Sequence, residues 1–196
     1  MTEGRRPTLD STFFDGMYEE THDPWGFESR PYEAEKYAAT LDALPNERYR
    51  SGFEIGCSVG VLTELLAGRC DALLAVDIVE PPLIHARKRC QHLPQVRFER
   101  MEVPHRFPEE MFDLIVLSEV AYYWAGDDFR LGVDRIIEHL EPGGHLIMVH
   151  WRPFVEEYPL TGDQVHDAVL ESTSESLTHL LDRRHELYRL DLFERR

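Results

Sequence analysis

Five apolar runs of strand length lie between Arg50 and Trp151, with helical spacing and short connections between them. GFEIG, 52–56, reads as the first strand, and 60–67 as the helix behind it, with Val61, Leu62, Leu65 and Leu66 on one side. ALLAVD, 72–77, is a continuous apolar run, as a strand covered on both faces would be. Pro81 opens a helix to about Gln91. QVRFER, 95–100, alternates, and FDLIVLS, 112–118, is again a covered strand. A helix from about Phe129 to Leu140 is stopped by Glu141-Pro142-Gly143-Gly144, and HLIMVHW, 145–151, is the fifth strand. This recurrence predicts an α/β fold, a doubly wound and mostly parallel sheet. Thr161 and Gln164 form a capping-box pattern that opens a helix over about 162–172. The terminal SLTHLLDRRHELYRLDLFERR supplies two more strands, closing an edge in antiparallel sense.

The N-terminal part differs in character. Residues 1–12 are polar and read as loose. Phe13 to Phe27 is rich in aromatics and reads as packed on the body. Pro31 opens a helix, PYEAEKYAATLDAL, with Tyr32, Tyr37, Leu41 and Leu44 near helical spacing. The expected organisation is a lid-like segment over 1–30 and a single domain over 31–196.

Composition narrows the partners. The 196-residue chain carries 37 acids against 21 Lys and Arg, a net charge of −16. Such a surface repels nucleic-acid phosphates and anionic membranes alike. Three cysteines without CxxC spacing argue against a disulfide framework or a zinc site, and no other metal-ligand spacing occurs. No apolar leader or 18-residue apolar run is present, so a soluble cytoplasmic protein is expected, monomer or homodimer.

The turn after the first strand is GCSVG, Gly56 to Gly60, at the point where an open α/β sheet takes its ligand. It lacks the lysine and hydroxyl of a P-loop. A GxGxxG dinucleotide fingerprint would need glycines at Ser58 and Val61. Glu54, inside the strand, is awkward beside a phosphate but suits a cationic amine. Asp77 ends the second strand about 20 residues on, where an acid accepts ribose hydroxyls. The pattern fits a nucleoside bearing an amine and no phosphate, of which S-adenosylmethionine is an example. Glu102 and Val103, just past the third strand, are placed to border a base.

FEIGCSVG, LLAVD, FDLIVLSEVAYY and LEPGGHLIMV resemble, in order, the motifs of class I S-adenosylmethionine-dependent methyltransferases, covering about Arg50 to Val149. Within that superfamily the chain is most similar to the nodulation N-methyltransferases (NodS-like), through Asp23-Pro24-Trp25, the GC-small-x-G turn and the Ser118–Tyr123 segment. The resemblance implies a Rossmann-like, seven-stranded sheet with strand seven antiparallel and an N-terminal helical cap. It also implies S-adenosylmethionine as cofactor, S-adenosylhomocysteine as product, and the amine of an amino sugar as acceptor. The cofactor would be held by Glu54, Gly56, Cys57, Gly60, Asp77, Ile78, Glu102, Val103 and Ser118, with Trp25 and Phe27 closing over it. Glu102 stands where the family usually has Asp, and 150–166 falls outside the matched motifs.

The acceptor side should be built after the fourth and fifth strands. Glu119 is expected to orient an amine or hydroxyl, Tyr122 and Tyr123 to wall the site, and His150 to act as general base. Trp151, Arg152 and His166 complete the expected acceptor set. Methylation of a hydroxyl and non-catalytic binding of the cofactor are the alternatives.

Overall fold

The computed structural model describes residues 6–196. Seven strands form one sheet in the order β3-β2-β1-β4-β5-β7-β6. They are β1 (Tyr49–Ile55), β2 (Cys70–Asp77), β3 (Val96–Arg100), β4 (Phe112–Ser118), β5 (Leu140–Trp151), β6 (Leu177–Arg184) and β7 (Tyr188–Arg195). The first five run parallel, and β7 lies antiparallel between β5 and β6. The helices are α1 (Ser11–Glu20), α2 (Pro31–Ala43), α3 (Val61–Ala67), α4 (Glu80–Arg89), α5 (Gly126–His139) and α6 (Gly162–Ser172).

The central strands alternate between two cores because successive side chains leave a strand on opposite faces. On β4, Ile115 and Leu117 join one core with Phe129, Val133 and Ile136 of α5 and Val165 and Val169 of α6. Leu114 and Val116 join the other with Leu62 and Leu66 of α3 and Tyr37 of α2. Each such aliphatic side chain contributes about 1.5–3 kcal/mol on burial. Covering both faces is why these strands read as unbroken apolar runs. Among the described residues no helix is long and apolar enough to cross a membrane.

Two expectations change. Glu141–Gly144 does not separate α5 from the next strand. β5 begins directly at Leu140, opposite Phe112, and the EPGG stretch is an irregularity within it before pairing resumes at Leu114 and His145. Gly143 takes a left-handed φ of 76° there. The N-terminal segment is also tied down earlier than its polarity implied. Leu9 N–H donates to the Tyr123 carbonyl, Ala125 N–H donates to Thr8 Oγ1, and the Asp10 carboxylate caps α1. Residues 1–5, part of the stretch read as loose, lie outside the described residues.

The chain leaves β1 toward β2 on one side and later adds β4 on the other. Strand order therefore reverses between β1 and β4, which opens a crevice at their carboxyl ends.

Candidate active site

A cavity of about 640 Å³ fills this crevice. Its floor is made by the segments that follow four parallel strands: Gly56 and Ser58 after β1, Asp77 and Ile78 at β2, Met101 to Val103 after β3, and Ser118 and Glu119 at β4. Its roof is N-terminal: Phe14 and Tyr18 of α1, then Trp25 and Phe27. The Trp25 and Phe27 rings stack at 5.5 Å, and Tyr18 Oη lies 2.6 Å from Ser58 Oγ, so the roof is hydrogen-bonded to the glycine turn.

The turn geometry follows from glycine. Gly56 has φ +80°, and a Cβ there would stand 2.2 Å from Val120 Cγ2. A side chain there would collide with Val120, another residue of the cavity wall, so the turn requires glycine. Ser58 (φ 48°) and Glu119 (φ 58°) are the non-glycine residues with positive φ among those described, and they sit on the two turns beside the switch point. Ser58 N–H donates to Asp77 Oδ2 at 2.9 Å and Val79 N–H to Oδ1 at 3.2 Å. Burial still dominates these bonds and pushes the Asp77 carboxyl up to about 6. Each Asp77 oxygen has acceptor capacity left for a further donor. A glycine cradle, an acceptor carboxylate and the Met101–Val103 wall fit the nucleoside expected from the sequence.

The other end of the cavity is built on an ion triad. Lys36 Nζ lies 2.5 Å from Glu119 Oε1 and 2.8 Å from Glu33 Oε2, and all three residues line the cavity. Burial opposes the Lys36 charge, but Glu119 and Glu33 outweigh it and raise its pKa. Glu119 Oε2 accepts from Tyr122 Oη at 2.6 Å and from Trp151 N–H at 2.8 Å. That carboxylate is thus fixed by three donors. Tyr32, Tyr122, Tyr123, Trp151 and Tyr158 supply aromatic walls.

Of the expected site residues, Trp25, Gly56, Asp77, Ile78, Glu102, Val103, Ser118, Glu119, Tyr122, Tyr123 and Trp151 all line this one cavity. The others do not. Gly60 turns its Cα toward α4: a Cβ would meet Ala86 Cβ at 2.8 Å, so helix packing demands this glycine. Glu54 and Cys57 stand behind the turn on a hollow of about 30 Å³. Glu54 accepts from Thr63 Oγ1 at 2.6 Å, and burial pushes its carboxyl up to about 7. Arg152 turns outward to Asp163 at 3.0 Å and to the His185 carbonyl.

His150 and His166 are the largest corrections. Both are fully buried, and neither borders the cavity. Ala121 N–H donates to His150 Nε2 at 3.2 Å, so that nitrogen carries no proton. His150 Nδ1–H then donates to His166 Nε2 at 3.0 Å, and His166 Nδ1–H donates to Asp191 Oδ2 at 2.5 Å. Burial holds the pKa of both rings below the usual histidine value. The His150 lone pair is spent on the backbone of the Ala121–Tyr123 turn. This histidine supports that turn and has no route to a substrate proton.

Tyr32, Glu33 and Lys36 escaped the sequence reading. The signal was present: Glu33, Lys36, Tyr37 and Thr40 recur at helical spacing and form the buried face of α2. Charged residues on a buried stripe mark a polar site more sharply than the aromatics chosen as its core face.

Comparison with known proteins agrees with this geometry. The family model of nodulation protein S (NodS) matches residues 18–187, running through the 150–166 stretch that lay outside the matched motifs. Nodulation protein S of Rhizobium tropici is 34% identical over 128 residues, 64% of this chain and 53% of that protein. The chain thus spans little more than half the length of that curated relative. The crystal structure of the N-methyltransferase NodS from Bradyrhizobium japonicum WM9 in complex with S-adenosyl-L-homocysteine superposes with a TM-score of 0.79 at 24% identity, covering 93% of this chain and 97% of that one. A putative methyltransferase from Pseudomonas syringae gives a TM-score of 0.74 at 38% identity, covering 85% of this chain and 100% of that one. The sheet is therefore the class I methyltransferase fold, and the chain belongs to the nodulation protein S family.

Proposed function

We propose that this protein is an S-adenosylmethionine-dependent methyltransferase acting on the amine of a small molecule, with an amino sugar as the favoured acceptor. The observation that carries the reading is one continuous cavity with two unlike ends. Gly56, Asp77 and Met101–Val103 form an end suited to a nucleoside, and Glu33, Lys36 and Glu119 form a charged end walled by aromatics. When bound, S-adenosylmethionine supplies a methyl group on a sulfonium, a leaving group already activated.

The chain's own work is alignment and exclusion of water. Asp77 accepts the ribose hydroxyls, and the Gly56 turn lets the methionine portion lie against backbone. Glu33 and Glu119 set two carboxylates beside Lys36, with Arg30 also on the cavity wall, so an incoming amine meets carboxylate acceptors here. Tyr32 and Trp151, partly exposed on the cavity wall, are side chains of the kind on which sugar rings rest. Support for the amine comes from these carboxylates and from the likeness to the N-methyltransferase NodS. Support for the sugar comes from the aromatic walls.

Calorimetric titration with S-adenosylhomocysteine, with NAD as control, tests the cofactor. The expected result is binding of S-adenosylhomocysteine alone. Binding of NAD alone would overturn the methyltransferase reading.

A further inference from the structure

We infer that Glu33 is the proton acceptor for the incoming amine, and that Lys36 and Glu119 are the groups that position it. This rests on the amine-methyltransferase reading above.

An amine reaches the enzyme largely as an ammonium, which has no lone pair to offer. One N–H bond must break before the nitrogen can bond to the methyl carbon. His150, the strand-end candidate, has neither a free lone pair nor access to the cavity. Glu119 lines the cavity, but Lys36, Tyr122 and the Trp151 backbone already occupy it. Glu33 differs from both. It lies on the first turn of α2, is 5% exposed, and lines the cavity. Its Oε2 pairs with Lys36 at 2.8 Å, and no second donor among the described residues reaches that oxygen. The neighbouring Tyr32 hydroxyl is likewise buried without a partner. One carboxylate held by a single cation and one unpartnered hydroxyl thus share a helix turn beside the acceptor end, as expected where a ligand supplies further partners.

The surroundings suit the task. Burial raises the Glu33 carboxyl above the ordinary range, Lys36 and Arg30 pull it back, and Glu119 pushes it up. A carboxylate whose pKa is raised by burial takes a proton from an ammonium more readily than an ordinary one. In the step, the ammonium N–H bond breaks, the proton passes to a Glu33 oxygen, and the electron pair stays on nitrogen. That pair then forms the bond to the methyl carbon, and the carbon–sulfur pair returns to sulfur. Glu33 releases its proton to water when the site opens.

The test uses Glu33→Gln, D-glucosamine and N-acetylglucosamine. The variant should bind S-adenosylhomocysteine within about threefold of wild type, since Asp77 and the Gly56 turn are left untouched. Calorimetric binding of glucosamine to the S-adenosylhomocysteine complex should weaken about tenfold or more, because the ammonium loses a buried counter-charge. Turnover near neutral pH should fall about 100-fold, and the deficit should shrink to about fivefold in alkali, where the amine arrives without its extra proton. A deficit constant across pH, or none at all, would overturn the assignment. If the variant fails to bind S-adenosylhomocysteine, the wild-type kcat profile decides. A limb below the glucosamine pKa, read by NMR titration of the free sugar, supports Glu33, and a limb coinciding with it overturns the proposal. Wild-type protein that binds S-adenosylhomocysteine yet methylates no amine would remove the amine reading and this role with it. A normal Glu33→Gln enzyme would remove this role alone.

Discussion

His150 Nδ1 and His166 Nε2 face each other at 3.0 Å inside the protein, with the Ala121 backbone at one end of the pair and Asp191 at the other. Only neutral rings satisfy this arrangement, because an added proton sets two donors head to head. His166→Phe leaves the His150 N–H without an acceptor and should lower stability by about 1–3 kcal/mol in urea unfolding at mildly alkaline pH. The folded pKa of His166 is depressed, so its contribution is present above the unfolded value and lost as pH falls. The difference between wild type and variant should therefore narrow below about pH 6.5.

Asp77 gives the cofactor end its own pH dependence. Its carboxyl is pushed up to about 6 by burial, and in the ribose-binding role proposed above the ionised form is the stronger acceptor. Affinity for S-adenosylhomocysteine should hold above that value and fall by about tenfold per pH unit below it. Asp77→Asn should bind weakly and lack this limb. Calorimetry across the acid range checks both.

The two glycines of the turn should separate cleanly. Gly56→Ala places a methyl 2.2 Å from Val120 Cγ2 at a positive φ, on the cavity wall. It should weaken S-adenosylhomocysteine binding about tenfold or more and cost about 1–3 kcal/mol of stability. Gly60→Ala strains the approach of α3 to Ala86 instead. Its stability loss should be similar, with a smaller effect on the affinity of the folded protein. Thermal unfolding with and without ligand distinguishes them.

Lys36→Met leaves Glu33 and Glu119 buried without their shared counter-charge. Breaking a buried ion group from one side costs about 3–5 kcal/mol, and the loss should lessen in acid as Glu33, whose pKa burial raises, takes up a proton. Unfolding midpoints at neutral and acid pH measure it.

The parts of the fold set by local chemistry were legible in the sequence. The Thr161–Gln164 capping box is present as expected, and so is the strand–turn–helix at Gly56. Asp77 is where the end of a buried strand places it. What failed depended on distant segments. His150 does end a parallel strand, but the next helix, α6, folds back over it and β7, far along the chain, anchors His166 through Asp191. The requirement for glycine at Gly60 was visible, while its cause, Ala86 of the next helix, was not. Glu33 and Lys36 enter the site because α2 lies across the carboxyl end of β4, a contact between residues 83 positions apart at Lys36 and Glu119.

The decisive measurement is mass spectrometry of D-glucosamine and N-acetylglucosamine incubated with the protein and S-adenosylmethionine. Transfer of one methyl group to the free amine, with S-adenosylhomocysteine formed in equal amount and the acetylated sugar untouched, is the outcome expected here. Methylation of the acetylated sugar with the free amine untouched would refute an amine acceptor and move the reaction to a hydroxyl.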